Sequence, residues 1–148
     1  MISRAIIAAL LLISSTVSGH TRWPEQPYVE ARAYAYNSRG DIGRPIVQGG
    51  RLDRSAVNKR GIALTPEQTA RLVAAVTGKH RAPEEWMACF SPRHGIVFYN
   101  AARKPVAWVS LCFECDNAEA EPDPKTKIFD IRALEALATE LRLPMVPR

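Results

Sequence analysis

Gly95-Ile96-Val97-Phe98-Tyr99 and Val106-Ala107-Trp108-Val109-Ser110-Leu111-Cys112-Phe113, joined by Asn100-Ala101-Ala102-Arg103-Lys104-Pro105, decide the fold class of this chain. Both runs are rich in β-branched and aromatic residues and apolar at nearly every position, which predicts strands buried on both faces. The short polar connection folds them into an antiparallel hairpin at the centre of a sheet. Setting Asn100 opposite Pro105 fixes the register: His94 lies opposite Leu111, Arg93 opposite Cys112, and an extended ladder brings Cys89 beside Asp116.

Outward from the hairpin, residues 28–37 alternate. Tyr28, Glu30, Arg32, Tyr34 and Tyr36 share one face, and Val29, Ala31, Ala33 and Ala35 the other, which predicts a strand whose small-residue face suits close packing against a helix. Asn37-Ser38-Arg39-Gly40 and Asp41-Ile42-Gly43-Arg44-Pro45 read as turns, and Pro45-Ile46-Val47-Gln48 as a short strand ending at Gly49-Gly50. Thr65-Pro66-Glu67-Gln68 carries the start of a helix: a capping box between Thr65 and Gln68, and Pro66 where its missing amide costs nothing. It runs to Thr77, stops at Gly78, and has an apolar stripe of Leu72, Val73 and Val76 with Ala70 and Ala74 nearby. Residues 114–127 read as an acidic, proline-bearing loop. A second helix follows over 130–141, capped by Asp130, with Ile131, Leu134, Leu137, Ala138 and Leu141 facing inward. The expected fold is α+β, an antiparallel sheet with a central hairpin and two packed helices.

The 148 residues have ordinary globular composition, 47% hydrophobic and 24% charged, which excludes a disordered tail; 8 Gly exclude a collagen-like repeat. Residues 1–19 have the form of a secretory signal peptide: Arg4, an apolar run over 5–13, then a small and polar stretch with Val17 and Gly19 at the peptidase positions. The apolar run is too short to span a bilayer, so the expected mature protein is one α+β domain over 20–148, periplasmic or secreted, with no membrane span. The net charge of +5 is mild, and the arginines are neither clustered nor interleaved with aromatics, which argues against a nucleic-acid partner.

The chemistry-bearing residues gather at one end of the hairpin: Cys89, Arg93 and His94 before its first strand, Cys112 and Cys115 after its second. The segment Cys89-Phe90-Ser91-Pro92-Arg93-His94, with Cys112-Phe113-Glu114-Cys115, resembles a group of small exported bacterial proteins that share a Cys-Phe-x-Pro-Arg-His start and a Cys-Phe-x-Cys end. The resemblance covers the central third of the mature chain. It implies that Cys89, Arg93, His94, Cys112 and Cys115 form one unit, and it supplies no catalytic residues.

Several readings of this unit compete. In an oxidising compartment the plain one is a single disulfide, Cys89 with Cys112 or Cys115, leaving one thiol free. Cys89, His94, Cys112 and Cys115 are also a soft ligand set for zinc or copper, although Cys-x-x-x-x-His is not the usual half-site spacing. Cys112-x-x-Cys115 has redox-pair spacing, but the acidic residues after it raise a thiol pKa. Arg93 and His94 are candidates for binding an anion, with Glu114 or Asp116 as an orienting carboxylate. His20 at a new N-terminus is a weak copper ligand, and the acidic run lacks the spacing of a calcium loop.

There is no Ser-His-Asp order, phosphate-cradling glycine loop or His-Glu-x-x-His helix. The expectation is therefore an exported, non-enzymatic binding or interaction domain, disulfide-stabilised, acting on an envelope protein or small ligand without a required cofactor. The alternative is a metal-binding or thiol-exchange protein. Produced in a bacterium with an intact export pathway, the full chain is expected to lose residues 1–19. Intact mass of the periplasmic or secreted product checks this, and a full-length mass there would refute the signal.

Overall fold

The computed structural model describes residues 23–83, 88–126 and 128–144. The signal segment and His20 lie outside them. Among the described residues the order is β1 (Glu30–Ala35), β2 (Val47–Gln48), β3 (Arg51–Leu52), β4 (Ile62–Ala63), α1 (Pro66–Thr77), β5 (His94–Tyr99), β6 (Pro105–Cys112), β7 (Asn117–Glu121) and α2 (Ile131–Glu140). A five-stranded antiparallel sheet runs β4-β1-β5-β6-β7, with β2-β3 a separate two-stranded ribbon, so the fold is α+β as expected.

The hairpin register follows the reading above, with His94 facing Leu111 and Ile96 facing Val109. The expected pairing of Asn100 with Pro105 is corrected: the register shifts between Phe98 and Tyr99, so that Tyr99 faces Pro105 and the Asn100 amide bonds the Lys104 carbonyl at 3.0 Å. Pro105 has no amide to donate, so the ladder cannot continue regularly into the turn. The stretch expected as an acidic loop is the main correction, since Asn117–Glu121 pairs with β6 as strand β7. Alanine, glutamate and asparagine are poor strand formers, so its strand character comes from the open edge of β6 and not from propensity.

Alternation along the strands separates two cores. On one face Ala31, Ala33, Ile96, Phe98, Val109 and Leu111 pack against Leu72 and Val76 of α1 and Leu134 and Leu137 of α2. On the other, Tyr34, Tyr36, Val97 and Tyr99 pack against Ile46, Val47 and Ala56, so the turn-rich segment and its β2-β3 ribbon form the opposite cover. Both helices therefore lie on one face.

The capping box of α1 forms as read, and the Gly78 amide bonds the Ala74 carbonyl at 2.9 Å. Asp130 caps α2 by accepting from the Ala133 amide at 3.0 Å, and Arg71 of α1 meets Glu140 of α2 at 2.7 Å.

Gly95 shows how tight the second cover is. A Cβ there would lie 2.8 Å from Ile46 Cβ and 3.0 Å from the Val109 carbonyl oxygen. Gly95→Ala is expected to cost about 1–3 kcal/mol in denaturant unfolding, and an unchanged midpoint would show that residues 45–47 do not pack on β5.

Candidate functional site

Two places in the fold have the makings of a site. The first is the sulfur-bearing end of the hairpin. Cys112 closes β6 and Cys115 ends the turn into β7, where the Cys115 amide bonds the Cys112 carbonyl at 3.2 Å and Asp116 adopts a positive φ of 47°. Turn geometry puts the two sulfurs side by side, and they form a disulfide. The expected pairing from Cys89 is thus corrected: its thiol is free and exposed. A partner three residues away across a tight turn has the shorter reach.

Cys89 nevertheless reaches the cluster. Its Sγ lies 3.8 Å from Cys115 Sγ. The chain around it is anchored to the loop over the second face: Gly43 N–H donates to the Phe90 carbonyl at 2.7 Å, the Ser91 hydroxyl to the Gly40 carbonyl at 2.7 Å, and Asn37 Nδ2 to the Pro92 carbonyl at 2.8 Å. Phe90 packs with the two bonded cysteines in a small apolar cluster. Three sulfurs thus gather as expected, in a different bonding pattern.

The metal set does not assemble. His94 turns to the helix side of the sheet, where its Nε2–H donates to the Pro144 carbonyl at 3.1 Å and its ring lies 5.3 Å from that of Phe113. Two of the three thiols are joined to each other, and among the described residues no group of three or more His, Cys, Asp or Glu side chains could hold a metal ion. Arg93 and His94 likewise do not form an anion pair, because adjacent strand residues point to opposite faces. Arg93 donates to the Ser38 carbonyl at 2.9 Å and lies beside Gly40, on the loop side. Neither Glu114 nor Asp116 orients the His94 ring, whose polar partner is the Pro144 carbonyl.

The second place is a groove of about 1180 Å³ between α1, the extended residues 23–31 and residues 123–125. One wall carries Trp23, Pro24, Pro27, Tyr28 and Val29, and the other Leu64, Ala70, Val73, Ala74 and Thr77. Trp23 and Tyr28 meet Phe98 edge-on, at centroid distances of 5.2 and 4.9 Å, and Trp23 Nε1 donates to the Pro122 carbonyl at 2.6 Å. The stripe read for α1 holds for Leu72, Val73 and Val76, which lie in or against the helix-side core together with Thr69 and Ala75, but Ala70 and Ala74, counted with it, are exposed on the groove, which Val73 and Thr69 border. Sequence periodicity counted both sets as one stripe because it does not register what covers them. Tyr34 of β1 and Tyr36 just beyond it are buried, and the Tyr36 hydroxyl donates to the Arg44 carbonyl at 2.7 Å.

A buried polar centre that the sequence reading passed over anchors the loop on the second face. Asp53 Oδ2 accepts from Arg44 Nε and Gln48 Nε2, both at 2.8 Å, and Oδ1 accepts from the Ser55 amide at 2.7 Å. Burial alone would raise its carboxyl pKa, but Arg44 and Ser55 outweigh it and hold the group below the ordinary carboxylate value. The one signal was an acid set between Arg51 and Arg54 in a segment of scattered arginines.

Burial lowers the His94 pKa below 6.5, the nearby Arg93 charge lowers it further, and the Pro144 bond only partly opposes this. Below the unfolded value the unfolded chain binds a proton that the native one does not, so stability is full above about pH 6.5 and falls as the medium is acidified toward the lower folded pKa. The advantage of wild type over His94→Gln is expected to shrink between pH 7 and 5 by at most about 1.4 kcal/mol per pH unit. Urea melts at several pH values measure it, and a pH-independent difference would mean that the ring is not held neutral. No protein-family model matches the chain, and no match is found among curated proteins or solved structures.

Proposed function

We propose that the chain is an exported binding domain whose groove along α1 holds an extended, apolar segment of a partner polypeptide in the cell envelope. The observation that carries this reading is the groove side of α1: Ala70 and Ala74 are exposed on an open groove, and Val73, half-buried between them and the core, continues its apolar wall. Opposite them, Tyr28 and Val29 are 40% and 66% exposed, two of the four largely exposed large hydrophobic side chains among the described residues, the other two being Ile42 and Val57 away from the groove. Adjoining apolar groups that line one open groove mark an interaction surface.

The groove exceeds the roughly 300–1,000 Å³ typical of small-molecule pockets, which favours an extended chain. Glu25 and Asp123 against Lys125, with Glu30 already paired to Arg32 and Arg103, leave the rim short of positive charge, so an apolar segment with a basic residue suits it better than an acidic one. Export is supported by the form of residues 1–19, and a Cys112–Cys115 disulfide suits an oxidising compartment. No helix among the described residues is long and apolar enough to cross a membrane.

Selection from a random peptide library on the folded domain tests this. Enriched peptides are expected to be apolar, and Ala74→Glu, exposed at the groove wall, to weaken them about tenfold or more, equivalent to about 1.4 kcal/mol. Failure to enrich any peptide, or equal binding by the variant, would remove the groove as the binding site. A small apolar compound that binds where no peptide does would replace the polypeptide by a ligand.

A further inference from the structure

We propose that Cys89 is a relay thiol that makes the otherwise shielded Cys112–Cys115 disulfide available to outside thiols, so that the three sulfurs form a disulfide-exchange site. This inference does not depend on the groove. Cys112 and Cys115 are only 2% and 3% exposed and are packed with Phe90, so an incoming thiol has little access to either sulfur. Cys89 is exposed, and its Sγ stands 3.8 Å from Cys115 Sγ. A free thiol at van der Waals distance from one sulfur of a disulfide, and in contact with solvent, is placed for exchange. The bonds of residues 90–92 to the 37–43 loop fix that placement, so it does not rely on a chance encounter of mobile chains.

In the first step the Cys89 thiolate attacks Cys115 Sγ. The Cys89–Cys115 bond forms, the Cys112–Cys115 bond breaks, and Cys112 leaves as a thiolate that takes up the proton Cys89 released. No electrons are gained or lost. The disulfide now includes the exposed sulfur. In the second step a substrate thiolate attacks Cys89 Sγ, giving a mixed disulfide and expelling Cys115, which is protonated. The substrate's second thiolate then attacks its own bonded sulfur and releases Cys89. The substrate dithiol is oxidised by two electrons, the Cys112–Cys115 pair is reduced by two, and the substrate's protons end on Cys112 and Cys115. The substrate class is a pair of accessible thiols on another exported polypeptide, for which dithiothreitol is a small stand-in.

Asp116, Glu119 and Glu121, the acidic residues that argued against Cys112-x-x-Cys115 as an attacking pair, follow Cys115, whereas the attacking sulfur here is Cys89, outside that run.

The experiment compares reduction of the native disulfide by dithiothreitol in the oxidised full chain and in Cys89→Ser, with samples quenched in acid and alkylated for mass analysis. Because residue 89 is exposed, the serine variant keeps the fold, which circular dichroism verifies. Wild type is expected to be reduced about tenfold faster or more, and equal rates overturn the proposal. A second variant, Cys112→Ser, leaves thiols at 89 and 115 to react with oxidised glutathione. Closure of a Cys89–Cys115 bond is expected, whereas a folded protein carrying a glutathione on each cysteine would overturn it.

Discussion

Burial of β5 on both faces is the constraint from which the other features follow. All six residues from His94 to Tyr99 are buried, with Ile96 and Phe98 in the helix-side core and Val97 and Tyr99 under the loop cover. A slip of one residue against β1 or β6 would exchange the two sets of side chains, so the register is held by the hydrophobic effect on two sides at once. The alanines of β1 let the helices approach closely, and Gly95 does the same for Ile46 on the opposite face. Large residues thus meet small ones in both directions, Phe98 and Ile96 of β5 beside Ala31 and Ala33 of β1, and Ile46 of the loop over Gly95 of β5.

The same alternation sorts the chemistry. Arg93 and His94 are neighbours along the chain, yet one reaches toward Ser38 and the other toward Pro144, on opposite sides of a sheet. A cluster inferred from proximity along an extended segment is thus split by the strand period of two. The sulfurs escape this because they lie at the ends of strands, where turns and loop anchors and not the pleat set direction. The β6-β7 turn joins Cys112 to Cys115, and the hydrogen bonds from residues 37–43 bring the backbone before β5 alongside.

The loop cover on the second face does the work of a helical layer with almost no regular structure. It can do so because its polar groups are satisfied internally: Asp53 collects donors from Arg44, Gln48 and Ser55, while Asn58 Nδ2 and Oδ1 bond the Ala33 carbonyl and Ala35 amide at 3.1 and 2.9 Å. A buried carboxylate is tolerable only with such partners, and loss of one would leave a charge without compensation. The helical side is organised differently, by apolar packing and capped helix ends, and leaves one arc of α1 open to the groove.

Features set by neighbours along the chain were legible in the residues alone. The hairpin and its register, the Thr65 capping box, the Gly78 stop and the α2 stripe all appear where short-range pattern and turn chemistry placed them, because each depends on local geometry and on which residues are apolar. Strand β7 was hidden, since Asn117-Ala118-Glu119-Ala120-Glu121 becomes a strand only when β6 offers an open edge. The cysteine partner was hidden because spacing limits which sulfurs can meet without choosing among them, and the groove because periodicity shows that a helix face is apolar but not what lies against it. Pairing, facing and covering are relations between distant segments, and they are decided by the competition for buried surface that begins once the whole chain has collapsed.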